Sequence, residues 1–139
     1  MRLWHYSLIP CLPKQMLVSQ WRECIAIKRQ WEKGTLKHRL VSYVTKYQKS
    51  AFYYYTQSIA AEMTKRNILY KRIFLDELYD FCFQNGNAKF NYPEHDNRYL
   101  RQCLYNLEEK AVRRIINKEE WLKIYNKFKY DFDLWNGEE

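Results

Sequence analysis

An all-α protein is predicted by two observations. Apolar residues recur every three or four positions in five separate stretches. Only three Gly and three Pro occur in 139 residues, too few for the tight turns of an all-β fold of this size. Hydrophobic residues make up 47% of the chain, which argues against disorder. The length fits one helical domain over 1–139, with a core large enough to need neither disulfides nor metals.

Residues 1–12 read as an extended N-terminal arm. Pro13 then opens a helix to about Trp31, since proline is tolerated in a first helical turn. Leu17, Trp21, Cys24 and Ile25 share its core-facing side, and Gln15, Ser19, Arg22, Glu23, Ala26 and Arg29 its polar side. From Lys28 to Arg39 the chain is basic, with Lys28, Arg29, Lys33, Lys37, His38 and Arg39 against Glu32 alone, and reads as a helix end plus a loop around Gly34. Val41, Tyr43 and Val44 form a short apolar patch. Ser50 is the expected N-cap of a second helix running to Arg66, closed by Asn67, with Phe52, Tyr55, Ile59 and Met63 inward.

Ile73, Phe74, Leu78 and Phe81 suit a third helix, while Ile68, Leu69 and Tyr70 before it fit no one period. Asn85, Gly86 and Asn87 mark a turn. Tyr92 to Asp96 lead into a helix to about Lys110 that turns Leu100, Cys103, Leu104 and Leu107 inward. Asn117 and Glu120 have the spacing of a capping box, starting a last helix that carries Trp121, Ile124, Tyr125 and Phe128. The connections between helices are long.

Lys and Arg number 24 against 16 Asp and Glu, a formal charge of +8. No cation follows Lys129, where Asp131, Asp133, Glu138 and Glu139 supply four acids. Residues 1–130 therefore hold all 24 bases against 12 acids, a formal +12. A body this basic suits polyanions, with DNA, RNA and anionic membranes as candidates. The 13 Tyr, 7 Phe and 5 Trp serve a core or a surface that stacks on bases equally well. Trp4, Trp21 and Trp31 are expected in the core, Trp31 being the most exposed of the three.

Cys11, Cys24, Cys82 and Cys103 form no CxxC pair and no zinc spacing, so buried thiols in a reducing, cytoplasmic compartment are expected. The opening Met-Arg-Leu-Trp-His lacks the apolar run of a signal peptide, and no stretch approaches membrane-spanning length.

Phosphate-loop, dinucleotide, zinc-protease and serine-hydrolase motifs are all absent. His5, His38 and His95 show no ligand spacing, so neither a metal nor another cofactor is expected. What stands out is Arg22 beside Glu23 on a helix preceded by a short arm. Taken alone, such a pair is a solvated contact worth below about 1 kcal/mol.

The run Met1-Arg2-Leu3-Trp4-His5, followed by Leu8-Ile9-Pro10, Leu12-Pro13, Gln15 and Arg22-Glu23-Cys24, resembles the pyrimidine dimer DNA glycosylase family, most closely its bacterial branch. Further matches run from His38 to Val44 and from Tyr92-Pro93-Glu94-His95-Asp96 into Tyr99-Leu100. The resemblance implies a helical DNA repair glycosylase, with strand cleavage as a second step, whose N-terminal amine is the nucleophile. It implies a catalytic carboxylate at Glu23 and a DNA-holding arginine at Arg22. Because Arg2 is bulky, the amine is expected on Met1, or on Arg2 where Met1 is removed. Arg29, Lys33, Lys37, His38 and Arg39 join Arg22 as expected contacts to double-stranded, damaged DNA, with His5 as a further phosphate contact. Two DNA-contacting cationic positions of the family's first helix fall on Met16 and Ala26.

The chemistry is sound for these groups. An α-amine has an ordinary pKa of about 7.7–8.0, so part of it is neutral near pH 7 and able to form an imine. The leading reading is a monomeric DNA glycosylase. A non-catalytic DNA-binding protein that kept the fold is the alternative, and an RNA-binding or protein-interaction module a third.

Overall fold

The computed structural model describes the backbone of residues 1–137 and the side chains of residues 1–131. Of the acidic tail, Asp131 lies within this range, whereas the side chain of Asp133 and residues Glu138 and Glu139 lie outside the described residues. Every regular element among the described residues is helical, as predicted: α1 (Lys14–Glu32), α2 (Lys49–Lys65), α3 (Arg72–Cys82), α4 (Asn97–Val112) and α5 (Lys118–Gly137). Two 3-10 helices, Tyr6–Cys11 and Ser42–Lys46, fill the arm and the apolar patch after the basic loop. None of the described helices is long and apolar enough to cross a membrane. The packing divides the chain into two compact units, Met1–Leu3 with Lys14–Tyr92, and Trp4–Pro13 with the chain from Pro93 on.

In the first unit α2 packs against both α1 and α3. Its inward stripe is the one expected from its spacing: Phe52 and Ile59 are fully buried, Met63 and Tyr55 nearly so. Each such side chain contributes about 1.5–3 kcal/mol relative to an exposed position. Leu17, Trp21 and Cys24 of α1 and Leu78 and Phe81 of α3 complete this core. Trp31 is half-buried, its ring edge-on to Phe52 at 5.9 Å and to Phe81 at 5.6 Å.

Two details depart from expectation. Ser50 is not the N-cap of α2: the helix begins at Lys49, and the Ser50 hydroxyl donates to the carbonyl of Ala88 at 2.7 Å. Ile73 is not inward but 55% exposed, because α3 starts only at Arg72 and seats itself on Leu75, Leu78 and Phe81.

α1 and α2 end alike. Gly34 and Asn67 have φ of 72° and 60°, and the following N–H reaches back to the third-last helical carbonyl, from Thr35 to Gln30 and from Ile68 to Met63, both at 2.8 Å. Glycine and asparagine take this left-handed position at least cost.

In the second unit α4 packs on α5, and α5 on the first 3-10 helix. Leu100, Cys103, Leu104 and Leu107 are buried as expected. Asp96 caps α4 by accepting the Tyr99 N–H at 2.8 Å. Asn117 and Glu120 form the reciprocal box that their spacing suggests, at 2.9 and 2.8 Å. Ile124 and Phe128 are buried, but Tyr125 is 36% exposed, and α5 breaks its helical geometry at Phe128.

The arm is extended only through its first residues. His5 then caps the 3-10 helix, its Nδ1 accepting from the Ser7 N–H at 3.2 Å and its hydroxyl at 2.8 Å. That local bond bends the chain where sequence reading leaves it straight. The His5 ring stacks on His95 at 5.5 Å, and the Tyr6 N–H donates to His95 Nδ1 at 3.2 Å.

Burial, reinforced by neighbouring His5 and opposed by Asp96, pushes the His95 imidazole down to about 3 from 6.5. The unfolded chain therefore takes up a proton here as pH falls through 6.5, which the folded chain refuses until about 3. Stability from this ring is fully present above that window and is lost on acidification through it. A His95→Gln variant, which keeps an acceptor for the Tyr6 N–H, is expected to lose less Tm than the parent between pH 7 and pH 4.5. Thermal unfolding across that range measures it, and parallel Tm curves would contradict it.

Candidate active site

The site is built where the first three residues lie along α1, within the first unit. Leu3 is fully buried and anchors the arm. Gln20 and Glu23 stand one helical turn apart on the side of α1 facing it, as an i, i+3 pair should. Gln20 is 0% exposed. Its Nε2 donates to the Arg2 carbonyl at 2.8 Å and to Glu23 Oε2 at 3.0 Å, and its Oε1 accepts from the Tyr55 hydroxyl of α2 at 2.9 Å.

Glu23 is thus half-buried rather than an outward member of a solvated pair with Arg22. Burial raises its carboxyl above the ordinary 4.5. The Met1 α-amino group, the Arg2 amide N–H, the Gln20 amide and His38 oppose that rise, in descending order. The arm therefore brings an amine to a carboxylate that holds its proton more tightly than a surface glutamate does. A carboxylate so placed is suited to acid–base work.

Of the residues singled out in the sequence, Arg2 and Glu23 are joined here through the Gln20 amide, and the charges of Met1 and His38 act on the Glu23 carboxyl. Arg22, Arg29, Lys33, Lys37, His38 and Arg39 are all exposed. The left-handed turn at Gly34 ends α1 and starts the loop carrying the last three, and buried Val41, with its N–H on the His38 carbonyl at 3.1 Å, returns the chain to the core. Arg29 leans its guanidinium over the Phe74 ring at 5.4 Å. Lys28 is half-buried and paired with Glu32 at 3.0 Å.

His5 belongs to the second unit. It is 4% exposed, and burial lowers its pKa against the opposing pull of the His95 and Asp96 carbonyls and of the Asp96 and Asp131 carboxylates.

Gln20 and its bond to Tyr55, a residue expected only as core, escaped sequence reading. The available signal was Gln20 itself, one polar residue inside the stripe of Leu17, Trp21 and Cys24.

Because folding raises the Glu23 pKa, its folded form binds a proton more tightly than the unfolded chain does. Stability associated with Glu23 is fully present below about 4.5 and is lost as pH rises through that value and the higher folded one. Glu23→Gln is therefore expected to have the higher Tm at pH 7, with the gap closing below pH 4.5. Paired melts at the two pH values check this; a variant less stable at pH 7 would contradict it.

Comparison with known proteins bears on the same residues. A family model described as pyrimidine dimer DNA glycosylase matches residues 1–76, more than half of the chain. The match spans the arm, α1, the basic loop and α2, and so every residue gathered around Glu23. No curated protein and no solved structure matches the chain. On the family match and the all-α fold, the chain belongs to the pyrimidine dimer DNA glycosylase family, whose members are DNA repair enzymes that take DNA as substrate.

Proposed function

We propose that this protein excises a damaged base, a pyrimidine dimer by family, from duplex DNA with its own N-terminal amine as nucleophile. The observation that carries the reading is an arm anchored at Leu3 and laid along α1, where one Gln20 amide holds both the Arg2 carbonyl and half-buried Glu23. Glu23 takes a proton from the amine and frees its lone pair. The nitrogen then attacks C1′ of the sugar, the bond from C1′ to the base breaks, and the base leaves with the electron pair. Loss of a further proton and opening of the sugar give an imine between protein and DNA.

Strand cleavage follows from the same intermediate. The imine acidifies the proton on C2′, Glu23 removes it, and the 3′ phosphate departs by elimination. Where Met1 is removed, the Arg2 nitrogen, which bonds to Glu23 as an amide, becomes the amine. Damaged pairs are the cheapest to open, which favours access at lesions.

Arg22, Arg29, Lys33, Lys37, His38 and Arg39 form the phosphate-binding set, since exposed cations beside the catalytic pair hold a backbone without reading sequence. His5 serves the fold instead.

Borohydride trapping on duplex DNA carrying a cyclobutane pyrimidine dimer or an abasic site tests the mechanism. A covalent adduct mapped by mass spectrometry to the N-terminal residue is expected. Absence of an adduct on both substrates with DNA binding intact would overturn it in favour of a non-catalytic DNA-binding protein. Glu23→Gln should slow base release by about 10²–10⁴-fold while leaving DNA affinity within about twofold. The triple variant Lys33→Ala, Lys37→Ala, Arg39→Ala should weaken binding at every sequence and reduce the salt slope of log K by about 2–3, near 0.9 per lost phosphate contact. An unchanged slope in a salt titration would remove the loop from the interface.

A further inference from the structure

We infer that Gln20 is the positioning residue of this site: its side-chain amide, held by Tyr55, fixes the backbone of Arg2 and the carboxylate of Glu23 to each other, so that the amine meets the sugar in one orientation. This rests on the amine mechanism proposed above.

The geometry supplies the reason. Chain ends are ordinarily poorly ordered. Here the Arg2 carbonyl accepts from Gln20 Nε2 at 2.8 Å, and the same nitrogen donates to Glu23 Oε2 at 3.0 Å. One planar NH₂ group thus spans the Arg2–Leu3 peptide of the arm and the acid–base group. The amide plane cannot rotate to break these bonds without also losing Tyr55, whose hydroxyl donates to Gln20 Oε1 at 2.9 Å from within the core. The order of the chain reads outward: buried α2 fixes Tyr55, Tyr55 fixes the Gln20 amide, and Gln20 fixes both reacting partners.

Gln20 touches neither sugar nor base, and acts through Arg2 and Glu23. Misplacing a reacting group by about 1 Å lowers rate on the order of 10²-fold, which is the scale at which such positioning matters. The Gln20 bond also favours ionised Glu23, as do the Met1 amine, the Arg2 amide and His38.

The test uses the full chain with Gln20→Met, which keeps length and volume but removes both kinds of hydrogen bond. Tyr55→Phe is the second variant, which removes the anchor and leaves Gln20 in place. Trapping on abasic duplex DNA and single-turnover base release are followed from pH 5 to pH 9, with undamaged-DNA affinity as a control.

The expected result for Gln20→Met is a fall in kcat of about tenfold or more with KM within about twofold, since the lost interaction acts on the reacting geometry and not on DNA binding. Its acid limb should also move to higher pH, because a favourable contact of the ionised carboxylate is gone. Tyr55→Phe should give a smaller fall in the same direction, and keeps the inference testable if Gln20→Met does not fold.

A variant that traps and turns over like the parent, or that loses activity with an unmoved acid limb, overturns the positioning role while the amine mechanism stands. If the parent itself forms no adduct, the mechanism fails, and the positioning role fails with it.

Discussion

A primary amide taken out of water without hydrogen bonds costs about 1–3 kcal/mol by the measure of protein variants. Gln20 is completely buried, so its partners are a condition of folding and not an ornament of it. Tyr55 must sit opposite its oxygen, and the arm must pass its nitrogen with the Arg2 carbonyl turned inward. Those two requirements set how α1 and α2 face each other at this level, and where the first residues run. Glu23, one turn on, is then overlaid by the arm and loses part of its contact with water. The unusual environment of the carboxylate is thus a consequence of how a neighbouring neutral residue is satisfied.

The two units meet the problem of buried polar groups differently. In the first, a buried amide is paired with a carboxylate, a backbone carbonyl and a tyrosine hydroxyl. In the second, two imidazoles are stacked and held neutral by burial, with their nitrogens given to Ser7 and Tyr6. Both arrangements depend on low local dielectric. The first shares its unit with the exposed cations of the basic loop, and it is within the span matched by the glycosylase family.

The helices were legible because their signals are local. The stripes of α2 and α4, the box at Asn117 and Glu120, and the left-handed residues Gly34 and Asn67 all depend on neighbours within a few positions. Two of the misses have the opposite property, and a third is local but chemically unusual. Ser50 has the chemistry of a cap, but its hydroxyl finds Ala88, 38 residues away. Ile73 fits a helical stripe, but which face of α3 is covered is decided by α1 and α2. The bend in the arm arises from a histidine acting as a cap, a role usually taken by Ser, Thr, Asp or Asn. At the site, the resemblance pointed to Glu23 and the amine, and the charge pattern to the basic loop. The link between Gln20 and Tyr55 spans 35 residues and has no periodic signature, so only the packed helices reveal it.

The bond from the Arg2 amide to Glu23 has a kinetic meaning as well. Terminal amides normally exchange their hydrogens with solvent almost as fast as an unfolded peptide, because fraying exposes them at no cost. The Arg2 amide is instead tied to a carboxylate and shielded by an arm whose Leu3 is buried. Its exchange must wait for the arm to lift from α1. The second residue of this chain should thus keep time with the helical core, and the deuterium clock at one end of the polypeptide becomes a gauge of how long the site stays assembled.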